Sequence, residues 1–113
     1  MHVVKVPVKP LSVNQCFQGK RFKTKAYKQY EKEILLNLKP MNVEGGKLSL
    51  FLRFGLSSKN ADIDNPVKPF VDCLQKRYGF NDRHIYRLEV EKVDVKKGKE
   101  FIEFELKPMI EQK

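Results

Sequence analysis

The chain has 113 residues and a formal net charge of +9, because 23 Lys and Arg stand against 14 Asp and Glu. This length suits one domain with one modest core, and the 41% hydrophobic content argues against a disordered chain. No apolar run approaches the ~20 residues that span a bilayer, so we expect no membrane association. Cys16 and Cys73 lack metal-ligand spacing and follow no secretory signal, which predicts free thiols in a reducing cytoplasm.

The first half of the chain predicts a strand, a loop, a helix and a second strand. Alternation around Val4, Val6 and Val8 predicts a strand over residues 2–8, and the polar stretch from Pro10 to Thr24 predicts a loop. Thr24 is the expected N-cap of a helix that Pro40 ends. Its apolar residues recur at helical spacing, namely Tyr27, Tyr30, Ile34 and Leu38. After the Gly45-Gly46 turn, strict alternation predicts a half-buried strand through Leu48, Leu50, Leu52 and Phe54.

The second half predicts a helix and a final hairpin. The helix carries the apolar stripe Val67, Phe70, Val71 and Leu74, and Gly79 is its expected end. A long strand follows from Arg83 to Val95, with Tyr86, Leu88 and Val90 on one face and Val93 and Val95 on the other. That change of phase predicts a bulge near Glu91-Lys92. After the turn at Lys97-Gly98, a last strand carries Ile102, Phe104 and Leu106.

These elements predict an α+β fold in the order βαβαββ. Each helix has one apolar stripe to bury, so we expect a mixed sheet with both helices packed on one face. No linker or repeat divides the chain, and residues 1–113 are therefore expected to form a single domain.

Positive charge is concentrated near the N-terminus. Residues 1–40 hold nine Lys and Arg against two Glu, and the densest stretch contains Lys20, Arg21, Lys23 and Lys25. Such an excess attracts phosphate backbones, although lysine-rich faces also serve solubility alone. Lys59 adds a further cation just before a group of acidic residues.

Acidic residues cluster in this basic background at Asp62, Asp64, Asp72 and Asp82. In an extended segment Asp62 and Asp64 would project together while Ile63 turns inward. Two adjacent carboxylates repel each other unless a cation bridges them, and magnesium prefers such oxygen ligands. Asp64, Lys68 and Asp72 would form one helical ridge, and Asp82 would return beside it after the turn at Gly79.

Purely structural explanations of the same residues are equally compatible with the spacing. Asp64 or Asn65 is a natural N-cap with Pro66 at the first helical position. Asp82 suits an ordinary turn, and Asp64 with Lys68 suits a surface ion pair. Pro69 complicates a helix that begins at Asn65, because it would remove the first intrahelical hydrogen bond.

The string Asp62-Ile63-Asp64-Asn65-x-x-Lys68-x-x-x-Asp72, with Asp82 following, resembles the signature of the RusA family of Holliday-junction resolvases. Pro10-Leu11-Ser12-Val13-Asn14 is similar to the Pro-Ser-x-Asn segment of that family, and the order of elements also matches. The resemblance covers nearly the whole chain.

The resemblance implies a homodimeric, Mg²⁺-dependent endonuclease, with Mn²⁺ as a substitute metal, that makes paired cuts across a four-way DNA junction. Asp62, Asp64 and Asp82 match the metal-binding and catalytic carboxylates, and Lys68 matches the catalytic lysine. Asp72 matches a further acidic position. The family pattern has two adjacent acids after the helix, whereas this chain has Asn81-Asp82.

The expected DNA-binding residues are Asn14, Lys20, Arg21, Lys23, Lys25 and Lys59. Phe17 and Phe22 are interleaved with these cations and would stack on unpaired bases or pack against the core. Two other functions are compatible with the sequence. One is a non-catalytic nucleic-acid-binding module with a structural acidic cluster, and the other is a nuclease for branched DNA other than four-way junctions.

Overall fold

A computed structural model describes residues 3–19, 22–43 and 45–109. The strands are β1 (Val4–Val6), β2 (Phe17–Gln18), β3 (Phe22–Lys23), β4 (Leu48–Leu56), β5 (Ile85–Asp94) and β6 (Phe101–Pro108). The helices are α1 (Lys25–Asn37), before β4, and α2 (Val67–Tyr78), between β4 and β5. Apart from the short β2–β3 pair, the order is βαβαββ, as the sequence predicts.

The main sheet has the strand order β1-β6-β4-β5. β4 is parallel to β5 and antiparallel to β6, and β6 is antiparallel to β1, so the sheet is mixed. In β4 the alternation of the sequence decides which face is buried. Leu50, Leu52 and Phe54 are fully buried, whereas Phe51 and Arg53 on the other face are half-buried. The predicted α+β class is confirmed.

Both helices pack on the apolar face of this sheet. Phe70 of α2 makes edge-to-face contacts with Phe54 and Phe104, at ring-centroid distances of 6.4 and 5.5 Å. Tyr30 and Ile34 of α1 belong to the same core. The opposite face carries charged side chains such as Arg53 and Glu103, and no helix among the described residues covers it.

Thr24 caps α1, as predicted. Its Oγ1 accepts a hydrogen bond from Tyr27 N at 3.1 Å and donates one to the carbonyl of Gln15 at 2.6 Å. The cap therefore joins the start of the helix to the preceding segment as well as satisfying an unpaired amide.

The segment from Pro10 to Thr24 was expected to be a loop, and this is wrong in part. Residues Val13–Gln15 form a 3-10 turn, and β2 pairs with β3 to make a small hairpin. The polar, basic sequence hides the hairpin because each strand has only two residues, too few to show an alternation. Gly19 supplies the positive φ of 66° that the reversal requires.

α2 begins at Val67, which corrects the prediction that Asp64 or Asn65 caps it. The N-cap is Pro66, and no side chain caps the helix there. Pro69 then lies in the first turn, where backbone amides have no intrahelical partner, so its missing N–H removes no hydrogen bond.

The irregularity in β5 lies at its start and not near Glu91-Lys92, so that prediction is wrong. Leu48 pairs with Ile85 but Ser49 pairs with Arg87, which leaves Tyr86 as the extra residue. The register is then continuous to Asp94. Val93 faces the other side because side chains alternate along the regular strand, and it pairs with Gly55, over which the ring of Phe101 packs. Tyr86 therefore leaves the face of Leu88 and Val90, and Ile85 takes its place there.

Candidate active site

The segment between β4 and α2 carries the first two aspartates. Three hydrogen bonds from other segments hold it in place. The Lys92 ammonium donates hydrogen bonds to the carbonyls of Lys59, at 3.2 Å, and Ala61, at 2.9 Å. The amide of Val13 donates to the carbonyl of Asn65 at 2.9 Å. The acidic segment is thus attached to β5 on one side and to the N-terminal loop on the other.

Asp62 and Asp64 do not project together, because the backbone bends at Ile63 and Asp64 instead of remaining extended. Asp62 lines a cleft of about 390 Å³ beside Ser12 and accepts a hydrogen bond from Asn65 Nδ2 at 3.4 Å. Asp64 lines a second groove of about 480 Å³. Ile63, expected to turn inward, is 44% exposed and lines the second groove too. The alternation rule fails here because it applies only to extended backbone.

The second groove also contains Lys68 and Asp82. Lys68 Nζ lies 2.9 Å from Asp72 Oδ1 and 3.9 Å from Asp82 Oδ2. The predicted placement of Lys68 and Asp72 on one helical ridge is thus confirmed. Asp64 lies before the start of the helix and is not part of the ridge. The ion pairs described for Lys68 involve Asp72 and Asp82 and not Asp64. The hydrogen bond to Asp72 raises the pKa of Lys68. The ammonium is therefore a stable positive charge on the wall of the groove.

Gln75 positions both carboxylates that contact this lysine. Its Nε2 donates to Asp72 Oδ1 at 3.3 Å, and its Oε1 accepts from the amide of Asp82 at 2.8 Å. Gln75 is not among the site residues that the sequence predicts. The i, i+4, i+7 spacing of Lys68, Asp72 and Gln75 places the three side chains on one helical face. The same helical spacing that relates Lys68 to Asp72 therefore also indicates Gln75.

Asp82 returns beside α2 because of the turn that follows the helix. Gly79 has a positive φ of 74°, which ends α2. Asn81 Oδ1 then accepts from Arg83 N at 3.0 Å and caps a 3-10 turn over Asp82–His84. Asn81 stands where the family pattern has the first of two adjacent acids. In this chain it caps the turn that contains Asp82 and so fixes the position of that aspartate.

The carboxylates are compatible with magnesium but do not form one cluster. Among the residues that the structure describes, no three His, Cys, Asp or Glu side chains are grouped closely enough to share a metal ion. Asp64 and Asp82 line one groove, and Asp62 lines the neighbouring cleft. Magnesium takes one or two protein carboxylates together with waters and phosphate oxygens. Two exposed carboxylates beside a lysine fit that donor set.

The expected DNA-binding residues differ in their environments. Asn14, Lys25 and Lys59 are exposed. Lys20 and Arg21 lie outside the described residues. Lys23 instead makes an ion pair with Glu31 at 2.9 Å, which reduces its availability for a phosphate.

Glu31 is nearly buried and lies at the centre of an ion-pair network with two partly exposed lysines. Lys23 and Lys76 each place their ammonium 2.9 Å from a different Glu31 oxygen. Burial alone would raise the pKa of this carboxyl, but the hydrogen bonds from the two lysines outweigh it and keep the pKa below its ordinary value. The network joins the β2–β3 hairpin and α2 through α1. No motif in the sequence predicts it.

The two phenylalanines of the hairpin are accessible. Phe22 is 75% exposed and so does not pack into the core. Phe17 is 47% exposed and makes an edge-to-face contact with Tyr27 at 5.6 Å. The ring of Phe22 is therefore available to stack on a base, whereas the ring of Phe17 is partly packed against Tyr27.

No protein-family model matches this chain, and no curated protein matches it. The likeness to the RusA family therefore rests on the motif residues and the order of elements. No helix within residues 3–19, 22–43 and 45–109 is long and apolar enough to cross a membrane.

Proposed function

We propose that this protein is a Mg²⁺-dependent, structure-specific endodeoxyribonuclease that resolves four-way DNA junctions by paired cuts, acting as a homodimer in the cytoplasm during recombination and repair. The observation that carries the proposal is the groove in which Asp64, Lys68 and Asp82 meet. All three match positions of the RusA signature. Asp64 lies just before α2, Lys68 lies in its first turn, and Asp82 follows the turn after its end.

Each residue has a role in phosphodiester hydrolysis. Asp64 and Asp82 would hold the ion, with Asp62 contributing from the neighbouring cleft. Bound Mg²⁺ would supply charge neutralisation at the scissile phosphate and a more acidic water. Water attacks phosphorus in line and the bond to the 3′ oxygen breaks, which leaves a 5′ phosphate and a 3′ hydroxyl. Lys68 would stabilise the negative charge that develops on the phosphoryl oxygens.

The surroundings of the groove support a nucleic-acid substrate. The chain carries a net charge of +9, and Lys25 and Lys59 are exposed for contacts with phosphates. Phe22 offers an exposed ring that an unpaired base at the crossover would cover. Cys16 and Cys73 are free and buried, which is compatible with a reducing compartment.

The test uses a labelled four-way junction incubated with the full chain in Mg²⁺ or in chelator. We expect symmetric nicks in Mg²⁺ only, with Asp64→Asn and Asp82→Asn each inactive but folded. Glu33→Gln is the matched control, because it makes the same carboxylate-to-amide change on the exposed side of α1, outside both cavities. Nicking by Asp64→Asn at the parental rate would overturn the assignment of the site.

The same assay separates the other functions. A non-catalytic binding module would bind the junction in a salt-dependent manner, without cutting and without any effect of Asp62→Asn on affinity. A nuclease for other branched DNA would cut a three-way junction or a flap faster than the four-way junction. Equal cutting of linear duplex would exclude structure specificity.

A further inference from the structure

A second cavity lies beside the proposed catalytic groove. It is the cleft of about 390 Å³ that Asp62 lines, and we call it the side cleft. Residues 62–65 border both cavities, since Asp62 and Asn65 line the side cleft while Ile63 and Asp64 line the groove. A strand whose phosphate lies in the groove would therefore pass next to the side cleft. The volume of the cleft is at the lower end of the ~300–1,000 Å³ that small-ligand pockets have, and so suits one small group.

The side cleft has an apolar floor and a polar rim. Pro10, Leu56 and Pro66 line it and are buried, so the floor offers carbon atoms to a ligand. Gln15 and Asn60 line it and are exposed, and each side chain ends in an amide group. Proteins that bind an unstacked base use the same arrangement, in which apolar side chains contact the faces of the ring and polar groups bind its edge.

Hydrogen bonds fix the walls of the side cleft. The Ser57 hydroxyl donates to a carboxylate oxygen of Glu100 at 2.8 Å, which joins the end of β4 to the start of β6. The amide of Val13 donates to the carbonyl of Asn65 at 2.9 Å, which joins the N-terminal loop to the segment before α2. The cleft is therefore formed without a ligand, so that binding requires little ordering of the protein.

The two amide side chains of the rim are left without a partner. The hydrogen bonds described for Gln15 and Asn60 involve only their backbone atoms. Within residues 3–19, 22–43 and 45–109, neither side-chain amide has a hydrogen-bond partner. A primary amide presents a donor and an acceptor together, and this pair matches the donor and acceptor on the edge of a nucleobase.

The charges of the side cleft disfavour a phosphate group as its occupant. The charged residues that line it are the cation Lys9 and the two carboxylates Asp62 and Glu100, so negative charge predominates. Phosphate sites in proteins instead collect cations or backbone amides. An uncharged, planar group with a hydrogen-bonding edge fits the cleft better, and a nucleobase is the group of this kind that DNA carries.

We propose that the side cleft binds one unstacked nucleobase of the DNA strand, next to the phosphate that is cut. The apolar floor contacts the faces of the base, and the amides of Gln15 and Asn60 bind its edge. Cleavage therefore depends on the identity of the base at that position. The inference rests on the proposed function, because the strand whose phosphate lies in the groove delivers the base.

A branched substrate supplies a base of this kind. Removing a base from a duplex costs stacking and pairing energy, and the cost is lowest where the base is already unpaired or poorly stacked. Bases beside a branch point are less constrained than bases inside a continuous duplex. The side cleft would therefore favour cutting near the branch point, and its two amides would select among the bases found there.

Single-turnover cleavage of four-way junctions that differ only in the bases flanking the crossover phosphate tests the side cleft. We expect the full chain to prefer one base at one flanking position about tenfold or more, the usual discrimination of a good amide–base contact. In Gln15→Ala/Asn60→Ala this ratio should fall to about threefold or less, because both amides are lost. The control Gln29→Ala/Asn42→Ala removes two exposed amides outside the cleft and should keep the parental ratio.

A fluorescent base tests the side cleft without cleavage. Junctions in chelator carry 2-aminopurine beside the flanking position, which holds each of the four bases in turn. The fluorescence of 2-aminopurine rises when a neighbouring base leaves the stack. Binding of the parent should raise the fluorescence about twofold or more for at least one base, and Gln15→Ala/Asn60→Ala should lose most of that rise.

Circular dichroism checks that each variant is folded. Equal cutting of all the junctions by the parent, or a base preference or fluorescence rise that Gln15→Ala/Asn60→Ala retains in full, would overturn the base site. Failure of the proposed function is distinguishable from these outcomes, because a parent that gives the fluorescence rise but does not cut DNA refutes the activity alone. A parent that cuts every junction equally refutes the base site alone, and one that neither binds nor cuts refutes both.

Discussion

The ammonium of Lys68 lies 3.9 Å from Asp82, although a helix and a turn separate the two residues in the chain. The contact exists because Gly79 reverses the chain and Gln75 accepts a hydrogen bond from the amide of Asp82. Asp72, at 2.9 Å, holds the same ammonium more closely. Folding thus places one lysine between two carboxylates at the side of a groove.

Replacement of Lys68 by Gln should reduce the rate of junction cleavage about 10²–10³-fold, the usual effect of removing one group that stabilises transition-state charge. Junction affinity should change little, because a single phosphate contact contributes a small part of the binding free energy. Single-turnover cleavage and gel-shift binding measure the two effects. Lys68→Arg keeps the charge and should recover part of the rate; equal rates for Lys68→Gln and the parent would exclude a catalytic role.

The raised pKa of Lys68 predicts the alkaline side of the pH–rate profile. The hydrogen bond to Asp72 raises this pKa above the ordinary 10.5, so the ammonium remains charged throughout the range from pH 7 to pH 9. Cleavage should not decline in that range through loss of this proton. In the Asp72→Asn variant the pKa of Lys68 should fall, so any decline of the cleavage rate at alkaline pH should move to lower pH. Single-turnover cleavage rates across a pH series measure this shift.

The Glu31 network should make stability depend on acid pH. The pKa of the Glu31 carboxyl is lowered in the folded protein. The contribution of this carboxylate to the free energy of unfolding is therefore present above the ordinary Glu pKa of 4.5, and it is lost as the pH falls through the lowered pKa. Glu31→Gln should lose about 1–3 kcal/mol at pH 7, since it replaces two charge-assisted hydrogen bonds.

Urea denaturation at pH 7 and pH 3 measures the difference between Glu31→Gln and the parent. We expect the difference to shrink towards pH 3, because the parental carboxyl becomes protonated as the pH falls through its lowered folded pKa. Glu33→Gln, two positions further along α1 and exposed, should be nearly neutral at both pH values. A difference for Glu31→Gln that is the same at both pH values would exclude the ion pairs as its cause.

Lys92 should matter for activity more than for stability. It fixes the segment before Asp62 through two carbonyls, so Lys92→Met should release that segment while its apolar stem keeps its contacts on the sheet. We expect cleavage to fall about tenfold, with an unfolding free energy within about 0.5 kcal/mol of the parent. Lys97→Met, in the exposed β5–β6 turn, is the charge-matched control and should retain parental activity.

The basic residues should contribute unequally to DNA binding. Lys25 is exposed, whereas Lys23 is bound to Glu31. Lys25→Ala should therefore reduce the slope of log affinity against log salt by about 1, and Lys23→Ala should reduce it less. Fluorescence anisotropy on a junction at several salt concentrations measures both slopes. Equal slopes for the two variants would show that Lys23 leaves Glu31 when DNA binds.

Local patterns predicted most of the fold. Alternation in β4, the helical stripes of α1 and α2, and the cap at Thr24 each follow from contacts within a few residues, so they were readable without the tertiary structure. The predictions that failed needed longer-range information. The bend at Ile63 and Asp64 depends on where α2 begins, and the bulge at Tyr86 depends on how β5 leaves the turn after Asp82.

For the candidate site, the sequence by itself determined which residue types are present and that Lys68 and Asp72 share a helical face, since helical spacing alone brings them together. Only the tertiary structure decided that Asp82 joins them, that Asp62 lies in a separate cleft, and that Lys92 and Gln75 support the arrangement. The reason is physical: these contacts join segments far apart in the chain, and their geometry depends on how α2 packs on the sheet.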